Sequence, residues 1–566
     1  RQACAVNVST AQGAHLWAPS DASAAAYQMT RRTSAPETAG PIIEAGKNCW
    51  RQETASRFAT LIDTADYFAA FAAACRNARQ QIFILGWDFD RRERLHRADE
   101  LDDFPDELGA FLVALVKHRP ELKVYLLSWD FNMVYAAERE LLPALRLRLQ
   151  APPRFHFRLD GRHPKGASHH QKVVVVDDQV AFVGGIDLSR WRWDTPEHKP
   201  EDPRRIDPDG KAYPPFHDMM MLVEGDAAAR LGDLARKRWR RARGWKIKPP
   251  QVPAESPWPA SVDGELEDVS VAIARTEPEF GDHAAVGEVR QLYLDAIAAA
   301  HRSIYIENQY FTAHCLADAL IARLEEPEGP GVIIVLPQKT GGWLEQVTMD
   351  VVRGRILDRM QAADKHDRLR IYYPYMPGLG DDCISVHAKL LIVDNRLLRI
   401  GSSNTSNRSM GLDTECDLAI ESAEPEDEIA SYIGSLRSRL LAEHLDCEVE
   451  DIDRAEREQD SLVRAVESLC GDGRSLRPLD WKVPADVDGM VPDSGLIDPE
   501  EPFSPDYFVN QYVPRSGQSS SRKRLMLFIS LIVLLLGVAA AWRWTPLQDL
   551  LSPDRISSYL TSIGSF

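Results

Sequence analysis

The pattern H-x-K-x4-D occurs twice in this chain, and both times G-[GS]-x-[DN] follows after six further residues. The first copy is His170, Lys172 and Asp177, then Gly184-Gly185-Ile186-Asp187. The second is His387, Lys389 and Asp394, then Gly401-Ser402-Ser403-Asn404. Both copies run through a short aliphatic stretch bounded by turn residues, which reads as a buried strand. Residues two apart on a strand project to the same face. His170 therefore projects with Lys172, and His387 with Lys389, so each strand offers one imidazole and one ammonium to a cavity. The Asp lies an odd number of residues from its His and meets a turn. Asp177 and Asp394 are thus expected to act mainly as structural members of each motif, bonding nearby backbone N–H groups.

The repetition extends beyond the motifs. Asp66 to Arg79 reads as a helix leading into the strand Gln81–Trp87. Gln291 onward reads as a helix leading into the strand Ser303–Phe311. Lys123–Leu127 and Val332–Leu336 are the next strands in each half. A period of about two hundred residues is far too long for a solenoid and describes two similar domains. The alternation of strands and helices predicts an α/β fold. Each half is expected to be a mixed, mostly parallel β-sheet flanked by helices, with one active site between the halves. The expected boundaries are an unstructured segment at 1–40, a first half at 41–259 ending in a Pro-rich joint, and a second half at 260–445. An acidic helical or extended tail and linker follow at 446–521, then an apolar segment at 522–566.

Composition narrows the partners. With 85 Asp and Glu against 67 Lys and Arg, the net charge is −18. That opposes a nucleic-acid partner, which calls for a basic stripe. The eight cysteines stand singly, without zinc spacing, and suit a reducing compartment. Neither metal nor cofactor is expected. The run Arg236 to Arg243 stands out as basic and is expected either to be a solvated helix face or to meet anionic lipid headgroups.

Two lysines in a dry pocket attract a phosphate and stabilise the charge that builds on its oxygens. One neutral imidazole can attack phosphorus, while a protonated one gives its proton to the leaving alcohol. The Gly-Gly and Gly-Ser pairs allow backbone to come close to a bound anion. Each histidine needs a carboxylate to fix its tautomer. Asp218, in Phe216-His217-Asp218, and Glu415, in Asp413-Thr414-Glu415, precede apolar runs at matching places in the two halves and are expected to serve as these orienters. His169 and His217 are expected to be structural.

These motifs resemble the paired HKD signatures of the phospholipase D superfamily over roughly residues 45 to 445. Ile304-Tyr305-Ile306-Glu307-Asn308-Gln309-Tyr310-Phe311, Gly184 to Leu188 and Phe216 to Asp218 resemble the eukaryotic-type enzymes and their bacterial relatives. The resemblance implies a two-step reaction through a phosphohistidine, with His170 as nucleophile and His387 as general acid. It implies that Lys172, Lys389, Asn404 and Ser402 hold the phosphate and that Asp218 and Glu415 orient the histidines. Asp187, which stands where the second half has Asn404, breaks the pattern and is expected to face away or to bond backbone. The implied activity is hydrolysis of glycerophospholipids to phosphatidic acid, with transfer to another alcohol in place of water. The alternatives are a cardiolipin synthase-like phosphatidyltransferase, a nuclease-type phosphodiesterase and an inactive membrane scaffold.

Leu525–Trp542 holds 18 residues without a charge, behind Arg522-Lys523-Arg524 and ahead of Trp544. This is the flank pattern of a membrane span with its basic end in the cytoplasm. The expected partners are a phospholipid substrate and the membrane, and the expected location is a bacterial inner membrane with the catalytic part cytoplasmic. The arrangement resembles bacterial proteins in which such a domain precedes a membrane domain of the VTT type, which would continue past Phe566. The chain opens on Arg1 and not Met, as a fragment would.

Overall fold

A computed structural model describes residues 40–96, 104–130, 151–242, 244–341, 343–482 and 498–502. The segment 1–39, expected to be unstructured, and the apolar stretch Leu525–Trp542, expected to span a membrane, lie outside the described residues. Among the described residues no helix is long and apolar enough to cross a membrane. Those from Pro41 onward form one compact unit.

The two sequence repeats become two copies of one arrangement. In the first, Gln81–Gly86 pairs in parallel with Lys123–Trp129, which pairs in parallel with Phe155–Asp160. Its other edge pairs antiparallel with Val173–Val176, and the antiparallel series continues through Val180–Gly184 and Met219–Gly225 to Arg51–Ile62. In the second, Ser303–Asn308 pairs in parallel with Gly331–Val335, and that strand with Leu369–Tyr375. Its other edge leads antiparallel through Lys389–Val393, Leu397–Gly401 and Glu415–Glu421 to Leu266–Glu277. Arg51–Ile62 and Leu266–Glu277 then pair antiparallel, so one 16-stranded sheet crosses both halves.

The sheet is mixed, but it is not mostly parallel as the helix–strand alternation led us to expect. Parallel pairing needs a crossover of a dozen residues or more, and only the first part of each half has one. The strand of each H-x-K ends in a turn of three residues, 177–179 or 394–396, and the chain doubles back. Asp177 and Asp178 have φ of 54° and 56°, and Asp394 has φ of 52°. These positive values are tolerated by Asp and make a tight hairpin. The motif strands are therefore antiparallel to their neighbours.

Fully buried side chains on one face of the sheet, including Val175, Val271, Ile392 and Leu418, form a core shared by both halves and covered by helices Asp226–Arg241 and Glu428–Leu445. The opposite face carries separate cores, one under helix Thr64–Asn77 and one under helix Glu288–Ala299. Residues beyond 446 also join the fold. Ser475–Pro478 adds an antiparallel edge strand to Leu369–Tyr375.

Candidate active site

The two H-x-K segments meet at the seam between the halves, and each is anchored by the opposite half. The backbone N–H of His170 donates to Thr414 O at 2.9 Å, and Thr414 N–H donates to Ser168 O at 2.9 Å. The second seam has the same form. Ser385–Val386 pairs in parallel with Phe216–His217, and His387 N–H donates to His217 O at 2.8 Å. Each bridge aligns a histidine with the carboxylate that follows the partner segment.

The orienting contacts are therefore crossed. His170 Nδ1 lies 3.1 Å and 3.2 Å from the two carboxylate oxygens of Glu415. His387 Nδ1 lies 2.6 Å from Asp218 Oδ2. The sequence placed each carboxylate in the half of its own motif; the fold delivers it to the histidine of the other. Glu415 is fixed in turn by hydroxyl donors, Ser402 Oγ at 2.5 Å and Ser409 Oγ at 2.7 Å. Asp218 accepts from Met219 N–H at 2.7 Å.

Burial sets the electrostatics. Lys172, Lys389, His387, Asp218 and Glu415 are buried, while His170 is partly open. Burial, reinforced by Lys172 and Lys389, holds His170 well below the usual imidazole range. Burial, then Lys389 and Arg192, does the same to His387. In each ring the lysine of the same half acts first, and the lysine of the other half adds to it. Burial raises Asp218 to about 7 and Glu415 well above the carboxylate range, and it lowers Lys389 to about 7. A dry cluster of cations and neutral imidazoles is arranged to receive an anion.

Asp177 accepts the backbone N–H groups of Arg79, Gln80 and Gln81 at 2.6–2.7 Å. Asp394 accepts those of His301, Arg302 and Ser303 at 2.8–3.0 Å. Each ties its motif hairpin to the start of the central strand of its half, away from the histidines. Asn404 is buried with its Oδ1 unpartnered.

Four expectations change. Ser402 is no phosphate ligand, because its hydroxyl is spent on Glu415 and it accepts from Cys416 N–H at 3.0 Å. Gly185 does not make room for a ligand, since a Cβ there would lie 2.2 Å from Asp218 Oδ1; its closeness admits the chain's own carboxylate. Asp187 bonds backbone, Trp87 N–H at 2.9 Å, but it does not face away: its other oxygen lies 3.0 Å from Lys172 Nζ. The basic run is only in part a solvated face: Lys237 and Arg240 are exposed. Arg236 and Arg238 are buried and pair with Asp178 and Asp160.

Sequence reasoning missed a buried ion pair under the second motif. Arg399 Nε donates to Asp417 Oδ2 at 3.0 Å, and Asp417 Oδ1 accepts Ser402 N–H at 2.9 Å. Phe182 and Met220 occupy the corresponding positions of the first half, so the support there is apolar. Comparing the two copies position by position would have exposed Arg399 and Asp417 as a matched polar change.

A family model described as "Phospholipase D" matches residues 156–317, and one described as "Cardiolipin synthase, PLD-like domain" matches residues 293–437. The first range holds His170, Lys172 and Asp218; the second holds His387, Lys389 and Glu415. Phospholipase D A of Dictyostelium discoideum is 26% identical over 463 residues, covering 68% of this chain and 35% of that protein. The chain belongs to the phospholipase D superfamily. Phospholipase D2 of Bos taurus, another relative, is 24% identical over 482 residues, covering 66% of this chain and 50% of that protein. This superfamily member thus spans about a third to a half of the length of these relatives. Among solved structures, phosphatidylserine synthase of Haemophilus influenzae aligns with a TM-score of 0.48 at 14% identity, covering 77% of this chain and 92% of that one.

Proposed function

We propose that the protein is a phospholipase D that hydrolyses glycerophospholipids to phosphatidic acid and a free headgroup. The observation that carries this reading is the crossed site, in which each imidazole is held at Nδ1 by a carboxylate of the other half, beside two buried lysines. That arrangement leaves Nε2 of both rings for chemistry. Relatives named phospholipase D over about two thirds of the chain support the substrate class.

The reaction runs in two displacements. The lone pair of His170 Nε2 attacks phosphorus, and the bond from phosphorus to the headgroup oxygen breaks as His387 gives that oxygen its proton. Burial and cations keep His170 unprotonated and nucleophilic at neutral pH. The anionic diester, bound by Lys172, Lys389 and Asn404, offsets the cations around His387 and lets it carry the proton. A water then gives a proton to His387 and attacks phosphorus, and the P–N bond breaks. Another alcohol in place of water yields a transferred phosphatidyl group.

The uncharged stretch Leu525–Trp542 behind Arg522-Lys523-Arg524 supports a membrane tether, with the catalytic part on the cytoplasmic side. A tether keeps the site near its lipid and raises the effective concentration. The test uses purified protein, phosphatidylcholine and phosphatidylglycerol vesicles, and a little ethanol, beside His170→Asn and His387→Asn. The reading requires phosphatidic acid and phosphatidylethanol from the wild type alone. Lipid left intact while another phosphodiester is cleaved would remove the substrate class.

A further inference from the structure

Behind Asp218 lies a second cluster that the phosphoryl chemistry does not use. Asp63, His198 and His217 are fully buried, and the side chain of Glu443 is 10% exposed. Four separate elements supply them: the turn before helix Thr64–Asn77, the polar stretch 191–214 after the first motif, the short strand Phe216–His217 and helix Glu428–Leu445. The facing atoms are close. His198 Nε2 lies 3.0 Å from Glu443 Oε1, and His217 Nδ1 lies 3.3 Å from the same oxygen. His217 Nδ1 is 3.1 Å from Asp63 Oδ1, and Asp63 Oδ2 is 3.5 Å from His198 Nε2. Ligand atoms from all four residues fall within 4.8 Å of one another.

A tetrahedral zinc ion with bonds of about 2.0–2.1 Å needs its donors about 3.3 Å apart. The four histidine–carboxylate distances, 3.0–3.5 Å, match that spacing. Asp63 Oδ2 is buried without a hydrogen-bond partner and is directed into it. The outer nitrogens of both histidines are held by further carboxylates, His198 Nδ1 by Asp194 at 2.9 Å and His217 Nε2 by Glu307 at 2.8 Å. That is how metal-ligating imidazoles are oriented. Zn²⁺ with two neutral imidazoles and two carboxylates is neutral. Around them Asp194 pairs with Arg205 at 2.9 Å, Glu307 faces His444 at 3.2 Å, and Arg474 lies 3.5 Å from the Glu443 oxygen. Imidazole donors and a count of four disfavour calcium and magnesium, which take six or more oxygens. Glu443 lines a surface cleft of about 450 Å³ beside Arg439 and Arg474, which gives an ion a way in.

We infer that Asp63, His198, His217 and Glu443 form a structural zinc site that braces the positioning carboxylate Asp218. The connection is direct: Asp63 N–H donates to Asp218 O at 2.8 Å, and His387 N–H donates to His217 O. No reacting atom touches the metal, so its removal loosens the site without removing a chemical group.

The test titrates zinc chloride into chelator-dialysed full-length protein, in competition with a chromophoric chelator, and follows the melting temperature. Wild type, His198→Gln, Glu443→Gln and the off-cluster control His169→Gln are compared, with circular dichroism confirming the fold. One zinc should bind per chain and raise the melting temperature in wild type and control, and both cluster variants should lose at least about 100-fold in affinity. Cobalt(II) loaded into the wild type should give the intense visible absorption of a tetrahedral site, a readout that holds even if a variant fails to fold. Folded wild type that takes up no stoichiometric zinc overturns the assignment and leaves an ion-pair ladder. Zinc retained at full affinity by both cluster variants also overturns it.

Discussion

His170 and Glu415 stand 245 residues apart in sequence, yet the imidazole Nδ1 lies 3.1 Å from the carboxylate. The reciprocal pair, His387 and Asp218, closes the same exchange in the other direction at 2.6 Å. Neither half can assemble a complete histidine–carboxylate pair alone. On the proposed mechanism the duplication works only as a pair, and the seam between the halves is part of the site.

Replacing Glu415 by Gln keeps the shape but allows the wrong tautomer of His170. We expect kcat to fall about 10²–10⁴-fold with little change in KM, by analogy with other histidine–carboxylate pairs. Asp218→Asn should do the same through His387. Steady-state kinetics on folded variants decides it, and activity within ten-fold of wild type would count against the crossed assignment.

The Arg399–Asp417 pair is fully buried. Asp417→Ala leaves the guanidinium uncompensated and should cost about 3–5 kcal/mol in urea unfolding. The double change Arg399→Phe with Asp417→Met copies Phe182 and Met220 of the first half. It should recover at least half of that loss, because Ser402 N–H keeps its bond to Cys416 O at 3.1 Å, as Gly185 N–H keeps its bond to Met219 O at 3.2 Å. A double variant no more stable than Asp417→Ala would mean the polar pair has a role the apolar one cannot fill.

Lys389 is lowered to about 7 by burial, so in the free enzyme its charge fades as pH rises through neutrality. A bound phosphodiester raises it again. We expect kcat/KM, which reports the free enzyme, to fall above about pH 7, and kcat to fall only at higher pH. A pH profile in which both parameters stay flat to alkaline pH would contradict this.

Asp498 is buried and raised to about 6. It accepts Thr312 Oγ1 at 2.6 Å and Asn407 N–H at 2.8 Å, fastening residues 498–502 to the loop after Asn404. A carboxylate with a raised folded pKa stabilises fully below its unfolded value near 4, and that contribution is lost as pH rises through about 6. The loss is at most about 2–3 kcal/mol. Melting curves at pH 5 and pH 7.5 should show a larger drop for wild type than for Asp498→Asn.

Much of the site was legible because the chemistry is local in sequence. The i, i+2 spacing of His170 and Lys172 and of His387 and Lys389 needs only a strand to work. The hairpin role of Asp177 and Asp394 follows from turn chemistry. What could not be read was non-local. The exchange of Asp218 and Glu415 depends on two short inter-half bridges, Phe216–His217 with Ser385–Val386 and His169 with Thr414, and no local pattern encodes them. The direction of the motif strands was misjudged because helix–strand alternation in the first part of each half was extended to the hairpins that follow. His198 sits in the polar stretch 191–214 and Glu443 on a helix of mixed character, so their meeting with Asp63 and His217 left no mark in sequence.

The covalent intermediate on His170 is the central mechanistic claim, and the stereochemistry at phosphorus tests it most directly. A lipid made chiral at phosphorus with sulfur and an oxygen isotope is transferred to an alcohol by the wild type. Two in-line displacements, first by His170 and then by the alcohol, predict net retention of configuration. Net inversion would mean that the acceptor attacks phosphorus directly, and the account of one histidine as nucleophile would be wrong.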